Sequence, residues 1–492
     1  MKPVTLHVLS LTAAFAALAC GESPDPTLRP TTGGTGGGGA AGVAGVGASG
    51  GTGGGGTGGG VGATGGVAGA AGSGGSGGSG AAPGFPTYPA VQYPTENPRT
   101  LEKELLGKVL FWEEQLSSDD TVACGTCHQG RAGGADPRSF QDGAIHPGPD
   151  GVLHTADDRR GGQGIRRCVQ AGPVITYQND PVFGSAPQVT RRKPASYLDA
   201  MFSRDLFWDG RARGQFVDPD NGQVAIASGG ALESQVLGPL LAREEMACDN
   251  RTLSAVHTKL AASQPLALAR DIPASMKAFI ASYPTYPEMF QAAFGTPEIN
   301  TRRIAFAIAS HERTLTSNRT PWDRWNAGEA NALTPRQVRG FQLFMVEGRC
   351  ALCHQPPLFT DSGFPGIALE GDFHQLGFVA VDPAFDRGRE EVTGEAHQRG
   401  AVKTPSLRNV GLREAGGLLH TGAGHGADLM AVMLAYQAPP NLTDNVDPLV
   451  TPLALTTEEI EAIIDFMRAG LTDPRAQAEL PPFDRPKLGS EP

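Results

Sequence analysis

Apolar side chains near the C-terminal end of the chain recur with helical spacing. From Ile460 to Met467 they occupy positions i, i+3, i+4 and i+7, which places them on one face of an α-helix. Thr456, or Thr457 beside it, is the expected N-cap, and Glu459 lies in an acidic first turn. The pattern therefore predicts an amphipathic helix that begins near residue 457.

Two further segments show the same helical pattern. Thr334 followed by Pro335 is typical of an N-cap and first helical position, and this predicted helix leads the chain towards Cys350. The segment 302–315 also has an apolar helical face. Runs of alternating apolar and polar residues are scarce, so we predict a mainly α fold with long Gly/Pro-rich loops such as 143–164.

The first hundred residues have a different character. Residues 1–19 have one early Lys, an apolar stretch and small residues, as signal peptides do, and the alternatives for Cys20 are lipidation after cleavage or simple secretion. Of the 68 glycines, 28 fall between Gly33 and Gly80, in a stretch without charge. Such a composition cannot bury enough apolar surface to fold, so residues 20–84 are predicted to be a disordered tether.

Length and charge limit the function classes. The chain has 492 residues, which is enough for two or more domains with real cores. Its net charge of −11 lacks the basic excess that phosphate backbones require, so nucleic acid is excluded as a partner. No segment after the first 19 residues has the length and apolarity of a membrane helix, so we expect membrane contact only through a lipid anchor.

Two copies of the motif CxxCH carry the main chemical signal. Two thiols at this spacing add to the vinyl groups of one porphyrin, and the following His gives the iron an imidazole ligand. A thioredoxin-like redox pair does not require the His, and a zinc site requires more ligands nearby. We therefore predict two covalent haem c groups. Their attachment and ligand residues are Cys124, Cys127 and His128, and Cys350, Cys353 and His354.

Cys168 and Cys248 are the remaining cysteines outside the N-terminal region. One interpretation is a disulfide, since haem c is attached outside the cytoplasm, where exported thiols oxidise. The other is two separate buried thiols. In the chain-entropy model the disulfide would contribute about 4 kcal/mol to stability.

An ordered series of motifs is similar to one known family, the bacterial di-haem cytochrome c peroxidases and their MauG-type relatives that mature methylamine dehydrogenase. The resemblance extends from about residue 105 to 472. The blocks are LGKVLFWEEQLSSDDTVACGTCH at 106–128, LFWDGRA at 206–212, QVLGPLLAREEM at 235–246, ERTL at 312–315, ALTPRQVRGFQLF before the second CxxCH, DRGREEVTG at 386–394 and KTPSLRNV at 403–410.

The resemblance implies two cytochrome c-like haem domains, at 85–295 and 296–480. Hydrogen peroxide would be reduced at the first haem, with electrons entering at the second from a mono-haem cytochrome c or a small copper protein. Trp208 matches the Trp between the haems of relatives. Glu245 matches the catalytic acid and base, and Gln235 matches the residue that orients peroxide.

Three departures concern the iron ligands and calcium. Many relatives have a displaceable His at the first haem, and the candidates here are His146 and His154. Lys193 replaces an Asn that contributes to a calcium site in relatives, so the inference of calcium is weak. Leu419 stands where peroxidases have a Met ligand to the second iron, which leaves His420 or His425 as candidate sixth ligands.

These departures keep three functions open. The first is an exported, periplasmic or outer-membrane-tethered peroxidase. The second is a MauG-like enzyme that uses peroxide to oxidise a protein or a small organic substrate. The third is a di-haem electron-transfer protein without peroxide chemistry. The resemblance also implies a homodimer as one possible assembly.

Overall fold

α-Helices account for most of the regular structure in the computed structural model, which describes residues 84–139, 141–363 and 372–491. The predicted signal peptide at 1–19, Cys20 and the glycine-rich stretch through residue 83 lie outside these residues. The α-helices are α1 (Leu101–Phe111), α2 (Cys124–Cys127), α3 (Ala231–Leu241), α4 (Leu253–Ala262), α5 (Ala274–Ser282), α6 (Tyr286–Phe294), α7 (Thr301–Glu312), α8 (Pro321–Asn326), α9 (Pro335–Met345), α10 (Glu390–Thr393), α11 (Val410–Arg413), α12 (Leu429–Gln437), α13 (Thr457–Asp465) and α14 (Pro474–Gln477). The mainly α prediction is confirmed.

The strands are short and form two-stranded antiparallel ladders: β1 with β2, β3 with β6, β4 with β5, β7 with β8, and β9 with β10. They are β1 (Ile145–His146), β2 (Arg159–Arg160), β3 (Gln163–Arg166), β4 (Cys168–Ala171), β5 (Val174–Tyr177), β6 (Pro187–Val189), β7 (Phe216–Val217), β8 (Val224–Ile226), β9 (Phe373–His374) and β10 (Val402–Lys403). Ladders this short leave little alternation in the sequence, which is why the segment 143–164 was predicted to be only a loop.

The N-terminal ends of α9 and α13 follow the sequence prediction. Thr334 accepts a hydrogen bond from the backbone N–H of Gln337, whose side chain accepts one from the backbone N–H of Thr334. Thr456 and Glu459 form the same reciprocal pair before α13. Each capping box satisfies backbone donors that the first turn leaves free.

Two large hydrophobic clusters form the core. The first includes residues of α1, α3, α4, α6 and α7, and the second includes residues of α8, α9, α12 and α13. Helix α7 lies beyond residue 295, where the sequence analysis places the domain boundary, yet it packs on α1 and α3 in the first cluster. Its apolar residues Ile304 and Ile308 are fully buried in that cluster.

A disulfide joins Cys168, at the start of β4, to Cys248. Both residues are buried in the first cluster. The backbone N–H of Asp249 donates to the carbonyl of Cys168, so the disulfide and this hydrogen bond tie β4 to the segment that follows α3. Within the described residues, no helix has the length and apolarity to cross a membrane.

Candidate functional site

The first CxxCH motif forms the single turn α2. Thr126 accepts a hydrogen bond from the backbone N–H of Ala123 at 2.8 Å and so closes the turn at its start. The ring of Trp112 packs directly on Gly125, where a Cβ atom would lie 2.2 Å from the ring. A glycine is therefore required between the two cysteines, because any side chain there would displace Trp112.

His128 is held in one ring orientation. Its Nδ1–H donates to the carbonyl of Gly134 at 3.1 Å, which leaves Nε2 unprotonated and available to a metal ion. Gly134 has φ of +87°, a conformation that suits glycine, and the ring of Tyr197 lies 5.6 Å from the His128 ring. Burial lowers the pKa of His128, which favours the neutral form that binds iron.

The charge of Glu245 acts on both cysteines of the first motif. Burial raises the pKa of the Cys124 thiol to about 12, and the carboxylates of Glu312 and Glu245 act in the same direction. Glu245 also raises the pKa of Cys127, after burial and Asp136. The backbone of Glu245 is fixed because its carbonyl accepts from the N–H of Ile165 in β3 at 3.1 Å.

The environment of Glu245 suits proton transfer. Burial raises the pKa of its carboxyl to about 7, while Arg211 opposes this shift and Glu244 adds to it. The residue as a whole is half-buried. A general acid and base works best with a pKa near the operating pH.

Gln235 lies on α3, ten residues before Glu245, and is half-buried. Among the described residues no hydrogen bond joins it to Glu245. The LFWDGRA segment approaches the same helix, since Phe207 lies 3.2 Å from the position of a Cβ atom on Gly238. The guanidinium of Arg211 stacks on the Phe207 ring at 3.5 Å.

The second CxxCH motif repeats the arrangement of the first at its His. A 3₁₀ turn covers Cys350–Leu352, and the Nδ1–H of His354 donates to the carbonyl of Phe359 at 3.0 Å. Nε2 of His354 is therefore free in the same way as that of His128. Phe359 adopts φ of +54°, an unusual conformation for a bulky residue, and is fully buried in the second cluster.

A partly open cavity of about 1350 Å³, counting the space at its mouth, adjoins His354. Most of its wall is apolar. The lining includes Cys350, Cys353, Leu407, Val410, Leu418, Leu419, Met433 and Tyr436. An apolar cavity with two cysteines and an imidazole on its wall fits a covalently attached haem. Leu419, in the position of the Met ligand of peroxidases, is part of this lining and offers no atom that ligates iron.

His374 lies in the same cavity wall and is held between two carboxylates. Its Nε2 is 2.8 Å from Asp361 and its Nδ1 is 2.6 Å from Asp447. Burial favours a lower pKa for His374, but hydrogen bonds to Asp361, Cys353 and Asp447 outweigh it and raise the pKa to about 11. Both ring nitrogens therefore carry protons and donate, so His374 in this state is not an iron ligand.

Trp208 adjoins the second site. Its indole N–H donates to the carbonyl of Lys193 at 2.7 Å, and its ring lies 6.1 Å from the ring of His420. Trp208, His354, Leu419 and His420 all line a smaller adjoining cavity. The turn after Lys193 also reaches the first site, because Ser196 donates to the carbonyl of Gly133 at 2.8 Å, one residue before the acceptor of His128.

The four candidate sixth-ligand histidines have different environments. His420 lines the smaller cavity, and burial lowers its pKa to about 4, which leaves its ring neutral. His146 packs between Phe183 and Phe385, with its pKa lowered to about 4 by burial and by two arginines. His154 and His425 are exposed.

Sequence reasoning did not find His374, Tyr436 or Arg413 as members of the second site. The larger cavity is lined by all three. None belongs to a chemical motif, and each reaches the cavity through long-range packing. Arg413 follows the KTPSLRNV block closely, and this proximity is the one sequence signal that pointed to its position.

Comparison with known proteins points to one family. A family model described as di-haem cytochrome c peroxidase matches residues 101–331, which include the first CxxCH motif, Trp208, Gln235 and Glu245. The chain is 28% identical over 388 residues to methylamine utilization protein MauG of Methylorubrum extorquens, covering 79% of this chain and 83% of that protein. It is 26% identical over 315 residues to cytochrome c551 peroxidase of Nitrosomonas europaea, covering 64% and 68%.

Solved structures show the same fold. A MauG-like protein associated with microbial copper homeostasis matches with a TM-score of 0.57 and 22% identity, covering 81% of this chain and 97% of that one. The diheme peroxidase BthA from Burkholderia thailandensis matches with a TM-score of 0.51 and 20% identity, covering 80% and 92%.

Proposed function

We propose that the chain, which a di-haem cytochrome c peroxidase family model matches over residues 101–331, reduces hydrogen peroxide to water with electrons from a small exported redox protein. Cys124, Cys127 and His128 would hold one haem c, and Cys350, Cys353 and His354 the other. When bound, haem supplies an iron centre that exchanges single electrons and binds peroxide oxygen. The two proposed haem domains are 85–295 and 296–480.

The observation that carries the proposal is the carboxyl of Glu245 beside the first CxxCH motif. Cleavage of peroxide consumes two electrons and two protons and requires a proton to move from the inner to the outer oxygen. A carboxyl with a pKa of about 7 can accept this proton as a base and return it as an acid. We assign this role to Glu245 and the orientation of peroxide to Gln235.

Electron entry is assigned to the second site. The exposed side chains of Val346 and Leu352 adjoin the second motif and give a donor protein an apolar contact there. Trp208 is the proposed route between the sites, since its indole is bonded to Lys193 and lies in the cavity wall with His354. The donor would be a mono-haem cytochrome c or a small copper protein, which implies export to the periplasm.

One observation favours a MauG-like oxidation of a protein or small organic substrate as the second candidate. Leu419 replaces the Met that would give the second haem a thioether ligand, and a thioether raises the haem potential. A second haem with a lower potential would accept electrons less readily from a cytochrome c, on which a peroxidase depends.

A single-turnover reaction of the purified holoprotein with hydrogen peroxide tests the proposal. Haem absorption is followed once in the fully oxidised protein and once after the addition of one electron. Reaction only after reduction is the expected result for a peroxidase whose first haem has a displaceable ligand. A prompt reaction of the oxidised form favours the MauG-like function, and no reaction in either state would leave an electron carrier.

A further inference from the structure

Two buried cations in the wall of the larger cavity form no ion pair with a carboxylate in the part of the chain that the structure describes. Lys193 is 3% exposed and Arg413 is 8% exposed, and both line the cavity with His354. Within residues 84–139, 141–363 and 372–491, the Lys193 ammonium has no hydrogen-bond acceptor and no carboxylate within ion-pair distance. The carboxylate of Asp136 acts favourably on the charge of Lys193, but Arg138 already binds that carboxylate at 2.9 Å.

Arg413 is a second cation, and among the described residues it forms no ion pair with a carboxylate, although Asp199 acts on its charge from a distance. Its guanidinium donates to the carbonyls of Gly133 at 3.3 Å, Arg408 at 2.7 Å and Ser406. These contacts satisfy N–H groups but carry no formal negative charge. Arg413 also opposes the charge on Lys193, so two like charges share a buried region. Such an arrangement is unfavourable unless an anion joins it.

The two cations lie between the CxxCH sites. The charge of Lys193 contributes, after burial, to the low pKa of His128 in the first site, while its side chain lines the cavity at the second. Arg413 belongs to the second part of the chain, yet its Cγ lies 2.7 Å from the position of a Cβ atom on Gly133, in the loop after the first motif. An anion bound here would lie at the boundary of both sites.

Haem brings the required chemistry, because its two propionate side chains are carboxylates. We propose that Lys193, supported by Arg413, is the counter-cation for haem carboxylates at the boundary between the two haem sites. This inference rests on the proposed haem binding and goes beyond it by naming a charge that the chain itself supplies at the boundary. Lys193 is a positioning residue, since it acts on the cofactor through charge and has no role in proton transfer.

The proposal predicts a change in haem potential. A positive charge near a haem disfavours the oxidised iron, which carries one more positive charge than the reduced iron. Removing the charge therefore lowers the midpoint potential. The side chain of Lys193 donates no hydrogen bond, so Lys193→Gln is not expected to unfold the protein, and Lys193→Arg retains the charge.

The test measures midpoint potentials of both haems in the holoprotein by spectroelectrochemical titration, together with haem content as the pyridine haemochrome. We expect Lys193→Gln to lower at least one potential and Lys193→Arg to leave both close to the native values. Lys103→Gln is the control, because Lys103 is also a buried lysine, at 5% exposed, but binds Asn97 and lines neither cavity. It should change neither potential.

Three results would overturn the proposal. The first is unchanged potentials in Lys193→Gln, and the second is an equal shift in the Lys103→Gln control. The third is a native potential that follows the concentration of added phosphate, because a free anion would then occupy the position. Native protein without haem c would overturn the proposed function as well, whereas two haems with unaffected potentials would overturn only this inference.

Discussion

The two CxxCH sites are built alike next to the iron-binding His and differently around it. In each, Nδ1 of the His donates to a backbone carbonyl a few residues later, Gly134 for His128 and Phe359 for His354. This hydrogen bond fixes the tautomer and ring orientation without any charged partner. The shared geometry fits the proposed haem ligation at both sites and does not distinguish one site from the other.

The two sites differ in the residues that surround the CxxCH motif. The first site has an ionisable carboxyl, Glu245, with a pKa raised to about 7. The second has an apolar wall that includes Leu419, and the protonated imidazole of His374 in that wall is paired with two aspartates. A group that exchanges protons suits substrate chemistry, whereas an apolar cavity with fixed charges suits electron transfer. Duplicated attachment chemistry can therefore support two different tasks.

Removal of one pair of attachment cysteines should have the largest effect and should show whether the two sites have different tasks. The double variants C124A/C127A and C350A/C353A should each lower covalent haem from two to one per chain, and both should stop steady-state peroxide turnover. In C124A/C127A the absorption spectrum of the one remaining haem should no longer respond to peroxide, whereas in C350A/C353A it should still respond. Haem content as the pyridine haemochrome and peroxide titration check this.

The disulfide offers a matched control for cysteine removal. C168S/C248S should lower the free energy of unfolding by about 4 kcal/mol in the chain-entropy model, since the bond closes a separation of 80 residues, while both haems are retained. Loss of haem in this control, or a peroxide response that survives in C124A/C127A, would contradict the assignment of the first site.

The second largest effect is expected for Glu245→Gln, which alters the first site only. Amide cannot transfer the proton, so turnover should fall by about 10²–10⁴-fold while both haem spectra persist. Glu233→Gln is not a fair control, because Glu233 forms a buried ion pair with Arg313 at 2.7 Å. Glu244→Gln is better, since Glu244 is exposed beside the catalytic candidate. Equal losses in both variants would remove Glu245 from the mechanism.

The rate of the reaction with peroxide should depend on pH through Glu245. Glu245 must be ionised to accept the first proton, and burial raises its pKa to about 7. The rate constant for peroxide should therefore be low below pH 7 and rise as the pH passes through about 7. Stopped-flow rates from pH 5 to 9 check this, and Glu245→Gln should lose the rise. An identical profile in the variant would assign the titration to another group.

How far the sequence could predict this structure differs between local and long-range features. The capping boxes at Thr334 and Thr456 depend on side chains three residues apart, so their patterns were sufficient. The CxxCH turns are equally local. The predicted end of α7 was wrong by three residues: the predicted helix reached Leu315, whereas α7 ends at Glu312, before the backbone N–H of Thr314 bonds to the carbonyl of His311.

The composition of the second site could not be predicted in full, because it depends on packing. His374 reaches the cavity on a two-residue strand paired with β10, and Asp361 and Asp447 bind it from 13 and 73 residues away. Such distances leave no periodic trace in the sequence. The unpaired charge of Lys193 also became evident only once its neighbours were known, since a Lys in a sequence is normally assumed to be solvated.

Leu419→Met should make the second site more like that of a peroxidase. If the thioether reaches the iron, the oxidised protein should gain the long-wavelength absorption band of Met ligation, and the potential of this haem should rise within the roughly 0.8 V range that axial ligands span. Leu418→Met is the control, since Leu418 also lines the cavity but precedes the ligand position. A native protein that already shows the band would contradict the absence of Met ligation.

Trp208→Phe should have the smallest effect, because it alters the connection between the sites and neither site itself. Loss of the indole N–H leaves the Lys193 carbonyl without its donor and should cost about 1 kcal/mol of unfolding free energy. Electron transfer to the first haem should slow after peroxide is added, with both spectra unchanged. Trp325→Phe, in the second hydrophobic cluster, controls for loss of an indole elsewhere. If stopped-flow traces of Trp208→Phe matched those of the control, electrons would pass between the two sites by another route, and Trp208 would serve only to hold the Lys193 turn in place.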